Sequence, residues 1–224
     1  MRKIPVYFMP GLAASPEIFE RIALPEEEFE VHMLEWTLPL PLETLSDYAK
    51  RIAKNIKAEK PVLIGVSFGG VLVQEMAQFV DAEKVIIISS VKCNRQFPKR
   101  MRMARYTKLY KIFPTHLAEN FEKLERLPFG GKFRQRFKLY EKFLAMRDKI
   151  YLDWALEKII CWDRSEPDGN VIHIHGDSDE VFPPKYITTP FITVKGGTHI
   201  MILNKYKWLN ENLPKIIKSS DSQP

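Results

Sequence analysis

The chain has 224 residues and a formal net charge of +6, with 45% hydrophobic, 28% charged and 12% aromatic residues. This globular composition excludes a disordered or low-complexity chain, and the length suits one large domain. No run approaches the ~18–20 apolar residues of a membrane span, and no signal-peptide core precedes the first elements. Two cysteines, Cys93 and Cys161, are too few for a disulfide framework. We therefore expect a cytoplasmic protein.

Short apolar runs alternate with amphipathic stretches along the chain. Continuous apolar runs bounded by polar or turn residues are typical of strands that are covered on both faces of a parallel sheet. The predicted strands are 3–9, 30–34, 61–65, 84–90, 171–175 and 191–195, and the predicted helices are 15–22, 44–56, 71–80 and 201–217, the last bent or ended near Pro214. Six strands alternating with helices predict a doubly wound, mainly parallel α/β sheet.

One internal segment interrupts this alternation. Residues 91 to about 149 contain helical fragments, several prolines and a Gly-Gly pair, so we expect a small insertion into a single domain that spans residues 1–218, followed by a frayed tail at 219–224. Lys92 to Lys149 carries 17 Lys and Arg against 5 Asp and Glu, whereas the rest of the chain has 17 basic and 23 acidic residues. The basic charge either solvates exposed helices or contacts an anionic surface. No nucleic-acid-binding motif accompanies it, so we expect no nucleic-acid partner.

A G-x-S-x-G motif carries the first chemical signal. It reads Gly65-Val66-Ser67-Phe68-Gly69 and lies directly after a predicted strand and before a predicted helix. A serine in a sharp strand-to-helix turn needs small neighbours, and the helix N-terminus offers N–H groups to a developing negative charge. This context identifies Ser67 as a candidate nucleophile. The alternative is a glycine-rich turn that only packs or binds phosphate.

A serine nucleophile needs a base and an acid that orients the base. The loop after the strand at 171–175 offers three carboxylates, those of Asp177, Asp179 and Glu180. His199 follows the last predicted strand in a glycine-bearing turn, and it is the only one of five histidines in such a position. The order serine, acid, histidine along successive strand ends predicts His199 as the general base.

These motifs resemble those of the α/β-hydrolase superfamily, and the resemblance covers nearly the whole chain. In that superfamily the acid commonly lies in an H-G-x-x-D-x-x-x-P pattern, which His175-Gly176-Asp177-Ser178-Asp179-Glu180-Val181-Phe182-Pro183 matches. The resemblance therefore implies Asp179 as the triad acid and leaves Asp177 to shape the turn. It also implies that the insertion is a helical cap and that residues 150–162 form the helix leading back from the cap to the strand at 171–175.

The same resemblance locates an oxyanion hole after the first strand. Members usually have His-Gly there, whereas this chain has Pro10-Gly11-Leu12. Because the donors are main-chain groups, the resemblance implies the N–H groups of Leu12 and Phe68.

The resemblance implies a serine hydrolase that cleaves a carboxylic ester or thioester of a small or acyl substrate through an acyl-enzyme. We expect no cofactor and no metal ion. A non-catalytic ligand-binding protein that retains the fold is the alternative function. A further hypothesis is that the basic cap makes weak contact with an anionic surface.

Overall fold

A computed structural model describes residues 2–112 and 142–219. Residues 113–141, half of the predicted cap, lie outside these ranges, so the cap and the domain boundaries stay predictions. Within the described ranges, no helix combines the length and apolarity that crossing a bilayer requires.

Six parallel strands form one sheet in the spatial order β2-β1-β3-β4-β5-β6. This confirms the predicted parallel α/β sheet, and all six predicted strands are present. They are β1 (Ile4–Met9), β2 (Phe29–Met33), β3 (Val62–Val66), β4 (Lys84–Ile88), β5 (Val171–Gly176) and β6 (Ile192–Val194). Since the strands are parallel, the loops after their carboxyl ends all meet at one edge of the sheet.

Helices flank the sheet. They are α1 (Leu45–Ala53), α2 (Phe68–Met76), α3 (Lys99–Thr107), α4 (Lys149–Ile160), α5 (Met201–Asn204) and α6 (Tyr206–Lys218), with short 3-10 helices at Pro16–Phe19, Asn94–Gln96, Leu109–Ile112 and Pro184–Tyr186. The sequence predicted a full helix over 15–22, but only the short 3-10 turn forms there. It also predicted one final helix ending or bending near Pro214. The break falls at Lys205 instead, and α6 continues through Pro214.

Alternate residues of the strands supply two hydrophobic cores, one on each face of the sheet. Val6 and Phe8 of β1 belong to a cluster with the 3-10 helix Pro16–Phe19 and α6. Tyr7 and Met9 belong to the opposite cluster, which includes α1, α2 and α4. The burial of Leu209, Leu213 and Ile217 in the first cluster explains why α6 tolerates a proline, because the buried apolar surface compensates for one lost hydrogen bond.

Helix α2 lies very close to the end of β1. A Cβ atom added at Gly69 would stand 2.3 Å from the carbonyl oxygen of Pro10 and 2.5 Å from that of Met9. These neighbours are backbone atoms at the end of a central strand, so they cannot swing aside as a side chain would. The glycine therefore fixes how closely the loop after β1 approaches the start of α2.

We predict that Gly69→Ala lowers the free energy of unfolding by about 1–3 kcal/mol, because the added methyl group forces β1 and α2 apart. Gly169→Ala is the control, since a Cβ atom there meets no other atom within 4 Å. We expect its effect to stay within about 0.5 kcal/mol. Urea unfolding measures both, and equal effects of the two substitutions would contradict this account of the packing.

Candidate active site

Ser67 alone makes the turn between β3 and α2. Its backbone has φ 53° and ψ −118°, a conformation that residues with a side chain rarely adopt. Hydrogen bonds hold the turn from both sides: the Ser67 N–H donates to the carbonyl of Ile88 at 2.9 Å, and the Ser67 carbonyl accepts from the Ser90 hydroxyl at 2.7 Å. The turn therefore holds the Ser67 side chain at the carboxyl edge of the sheet, where it is partly exposed.

The structure brings three of the predicted site residues together. The Ser67 hydroxyl lies 2.9 Å from His199 Nε2, and His199 Nδ1 lies 2.9 Å from Asp179 Oδ2. An ionised carboxylate only accepts hydrogen bonds, so the neutral imidazole carries its proton on Nδ1. His199 Nε2 is then the unprotonated nitrogen, and it accepts the hydrogen bond from the Ser67 hydroxyl.

Asp179 is buried, with 3% of its surface exposed. Burial by itself raises the pKa of its carboxyl group, but attraction to His199, the hydrogen bond from His199 and the hydrogen bond from the Phe182 N–H together outweigh it and lower the pKa. The Val181 and Phe182 N–H groups donate to Oδ1 at 2.8 and 2.9 Å. Both carboxylate oxygens are therefore engaged, which fixes the orientation of Asp179 toward His199.

Neighbouring side chains place the loops that carry Asp179 and His199. Asp177, which was expected to shape the turn, accepts a hydrogen bond at 2.8 Å from the N–H of Gly196, in the turn before His199. The Phe182 ring packs edge-on against the His199 imidazole at 5.3 Å between centroids. The two loops are thus fixed to each other by contacts that the motif alone did not reveal.

A buried histidine pair lies behind Asp179. Both side chains project from β5 to the same face, and His173 Nε2 lies 3.0 Å from His175 Nδ1. His175 Nε2 lies 2.8 Å from the Phe182 carbonyl, which can only accept, so His175 is protonated on Nε2 and accepts from His173 at Nδ1. The pair therefore supports the backbone of Phe182, whose N–H donates to Asp179.

The predicted oxyanion donors lie on two segments that are in contact. Phe68 is the first residue of α2, and Leu12 is in the loop after β1, whose carbonyl groups lie against Gly69. Sequence reasoning missed the residues that hold this loop. The Tyr151 hydroxyl accepts a hydrogen bond from the Ala13 N–H at 3.1 Å, and the Trp36 indole N–H donates to the Gly11 carbonyl at 2.7 Å. The position of Trp36 at this edge of the sheet was predictable, since it follows β2, but its hydrogen-bond partner was not.

Part of the basic segment binds the loop that contains Asp179. Helix α3 has no buried residue, yet Arg100 donates hydrogen bonds to the carbonyls of Glu180 and Val181 at 3.0 and 3.1 Å. Arg105 likewise donates to the Trp162 carbonyl at 3.0 Å. Arg100 therefore supports the loop that contains Asp179, and Arg105 supports the segment after α4.

A surface cavity of about 340 Å³ lies apart from the candidate active site. It is lined by residues of α1, α2 and α4 and the segment after α4, including Glu75, Glu157 and Trp162. None of Ser67, Asp179 and His199 lines it, so its chemistry is separate from theirs.

The histidine pair gives a pH-dependent contribution to stability. Burial, the neighbouring His175 and Lys92 hold the pKa of His173 well below its usual range. The folded protein therefore keeps His173 neutral while the unfolded chain binds a proton below a pH of about 6.5. Since the unfolded state then binds more protons, stability falls as the pH decreases through this range.

We predict that His173→Gln, whose amide still donates toward His175, removes up to about 1.4 kcal/mol per pH unit from the slope of unfolding free energy against pH below about 6.5. Urea unfolding at several pH values measures the slope. The control is the same comparison at pH 8, where residue 173 is uncharged in both the folded and the unfolded state of either protein. An unchanged slope would contradict a neutral buried His173.

Comparisons with known proteins give structural matches only. Neither a scan against protein-family models nor a search of curated proteins finds a match. Among solved structures, the chain is similar to an enol-lactonase from Burkholderia xenovorans LB400, with a TM-score of 0.68 and 14% identity over 98% of this chain and 93% of that chain.

Two further solved structures show the same similarity. A bromoperoxidase from Bacillus anthracis gives a TM-score of 0.65 and 18% identity, over 97% of this chain and 93% of that chain. A thermophilic esterase from Thermogutta terrifontis gives a TM-score of 0.61 and 17% identity, over 95% and 88%. Together with the sheet order and the turn at Ser67, these matches confirm the expected resemblance: the fold of this chain is that of the α/β-hydrolase superfamily.

Proposed function

We propose that the protein is a serine hydrolase that cleaves a carboxylic ester or thioester through an acyl-enzyme intermediate. The observation that carries the proposal is the pair of 2.9 Å contacts linking Ser67 to His199 and His199 to Asp179. A hydroxyl, an imidazole with its free nitrogen toward that hydroxyl, and a buried carboxylate are the three groups that nucleophilic acyl transfer requires. The esterase and enol-lactonase among the similar structures agree with this chemistry.

Acylation begins when Ser67 Oγ attacks the carbonyl carbon of the substrate. The Oγ–C bond forms as the hydroxyl proton moves to His199 Nε2, which the hydrogen bond already joins to it. Asp179 stabilises the imidazolium that results and keeps the ring in position. When the tetrahedral intermediate collapses, the bond to the leaving oxygen or sulfur breaks, and the leaving group takes the proton from Nε2.

The main-chain N–H groups of Leu12 and Phe68 stabilise the oxyanion of the tetrahedral intermediate in this proposal. Each donor contributes about 3–4 kcal/mol if its removal resembles the measured cases. The N-terminus of α2 adds the favourable end of its dipole. In deacylation, His199 removes a proton from water as the water oxygen attacks the acyl carbon. The Ser67–acyl bond then breaks, Ser67 Oγ takes the proton back from His199 Nε2, and the acid is released.

The proposed substrates are small-molecule esters or thioesters, because the mechanism acts on any reactive acyl carbon that reaches Ser67. Amides are less reactive and so are poorer candidates. Contact of the basic segment with an anionic surface stays a prediction, since much of that segment lies outside the described residues. The Arg100 and Arg105 contacts already account for two of its cations.

We predict that Ser67→Ala lowers kcat for hydrolysis of a p-nitrophenyl ester by about 10⁴-fold or more, because it removes the nucleophile. Ser178→Ala is the matched control. Ser178 lies one residue before Asp179, and its exposed hydroxyl donates a hydrogen bond to Asp177 at 2.9 Å. We therefore expect the kcat of Ser178→Ala to stay near the wild-type value. Thermal unfolding of both variants checks that each is folded.

Full activity in folded Ser67→Ala, or no hydrolysis of any ester or thioester tested by the folded wild type, would contradict the proposal. In the second case, a specific small ligand found by binding assays would favour the alternative of a non-catalytic binding protein.

We also predict that Asp179→Asn lowers kcat by about 10³–10⁴-fold near neutral pH, since the substitution removes the charge that fixes the imidazole tautomer. Steady-state kinetics measures the loss. A decrease of less than tenfold in a folded variant would show that another group orients His199.

A further inference from the structure

We propose that Trp36 is a positioning residue for the oxyanion hole, holding both of its backbone donors through one buried indole. This inference rests on the proposed function. Trp36 follows β2, and only 5% of its surface is exposed. It touches neither Ser67 nor His199 through any described hydrogen bond, so any effect on the reaction acts through the residues that it orients.

The first contact is the hydrogen bond from Trp36 Nε1 to the Gly11 carbonyl oxygen, at 2.7 Å. The Gly11 carbonyl and the Leu12 N–H belong to the same peptide unit. In a planar trans peptide the two groups point in opposite directions, so holding the carbonyl oxygen on one side aims the N–H to the other. A donor on the carbonyl also polarises the peptide, which makes its N–H a stronger donor.

The second contact is between rings. The Trp36 indole stacks on the Phe68 ring, with 5.0 Å between centroids and 6° between planes. The Phe68 N–H is the other proposed donor, at the first position of α2. One side chain therefore contacts the Gly11–Leu12 peptide unit through its carbonyl and the Phe68 residue through its ring, and it couples the loop after β1 to the helix that begins after Ser67.

Surrounding aromatic residues hold the indole in place. Tyr151 and Tyr48 pack against it, with centroids 5.5 and 6.0 Å away. The Tyr151 hydroxyl also accepts from the Ala13 N–H, so α4 holds the same loop from a second direction. Because these rings are fully buried, the indole has little freedom to release the Gly11 carbonyl.

Trp154 is a matched comparison within this aromatic cluster. It is also buried, and its ring lies 4.5 Å from Tyr48 and 6.3 Å from Phe68. Its indole N–H donates at 2.8 Å to the Glu43 carbonyl, next to the start of α1, rather than to the loop after β1. Replacing it thus perturbs similar packing and removes a similar hydrogen bond away from the proposed donors.

The test compares Trp36→Phe with Trp154→Phe in ester hydrolysis. We expect Trp36→Phe to lower kcat by about 10- to 100-fold, part of the 10²–10³-fold loss seen when one oxyanion donor is removed. KM should change by less than about threefold, because the lost interaction acts in the transition state. Trp154→Phe should keep kcat within about threefold of wild type, and thermal unfolding reports the folding of each.

If Trp36→Phe does not fold, Trp36→3-benzothienylalanine keeps the shape and the stacking and removes only the N–H donor, and the same loss of kcat is expected. A folded Trp36 variant with wild-type kcat overturns the inference, as does an equal loss of kcat in Trp36→Phe and Trp154→Phe, which would indicate packing alone. Both results leave the proposed function intact if Ser67→Ala abolishes activity. Inactive folded wild type, by contrast, overturns the proposed function and this inference with it.

Discussion

The strained turn at Ser67 is the constraint on which the rest of the site depends. A serine with positive φ persists only where its surroundings determine the backbone fully. Here β3 and α2 leave only Ser67 to make the turn, and its N–H and carbonyl groups are bound by the carbonyl of Ile88 and the hydroxyl of Ser90. Gly69 lets α2 approach the end of β1. The same close approach places the loop that contains Leu12 beside the start of α2. One feature of backbone packing thus fixes the hydroxyl and brings both proposed oxyanion donors together.

Electrostatics then determines the direction of the imidazole. Burial of Asp179 alone would disfavour its charge, yet two N–H groups and His199 keep its pKa low and its carboxylate ionised. This fixed negative charge selects the His199 tautomer with Nε2 free to receive the Ser67 proton. The buried pair His173 and His175 supports the arrangement from behind through the Phe182 backbone. Because His173 of this pair is neutral in the folded protein, the contribution of the pair to stability falls as the pH decreases.

Much of this arrangement was predictable from the sequence, because the residues concerned lie in short local motifs after strands. The six strands follow from apolar runs, and Ser67 and His199 follow from the order of loops at one edge of the sheet. Loop order left three carboxylates open, and only the resemblance to the α/β-hydrolase pattern selected Asp179. The roles of Trp36, Tyr151 and Ser90 were not predictable in this way, since they depend on contacts between residues far apart in the chain. The continuation of α6 through Pro214 was missed for a related reason: burial of the helix face around Pro214 outweighs the local preference of proline to end a helix.

In the proposed mechanism, folding alone activates the hydroxyl of Ser67. Labelling with a fluorophosphonate probe, followed by peptide mass spectrometry, tests it most directly. The account predicts one adduct per chain, located on Ser67, and no adduct when the chain is unfolded in urea before the probe is added. Folded protein that takes up no probe, or that carries the adduct on a different serine, would contradict it.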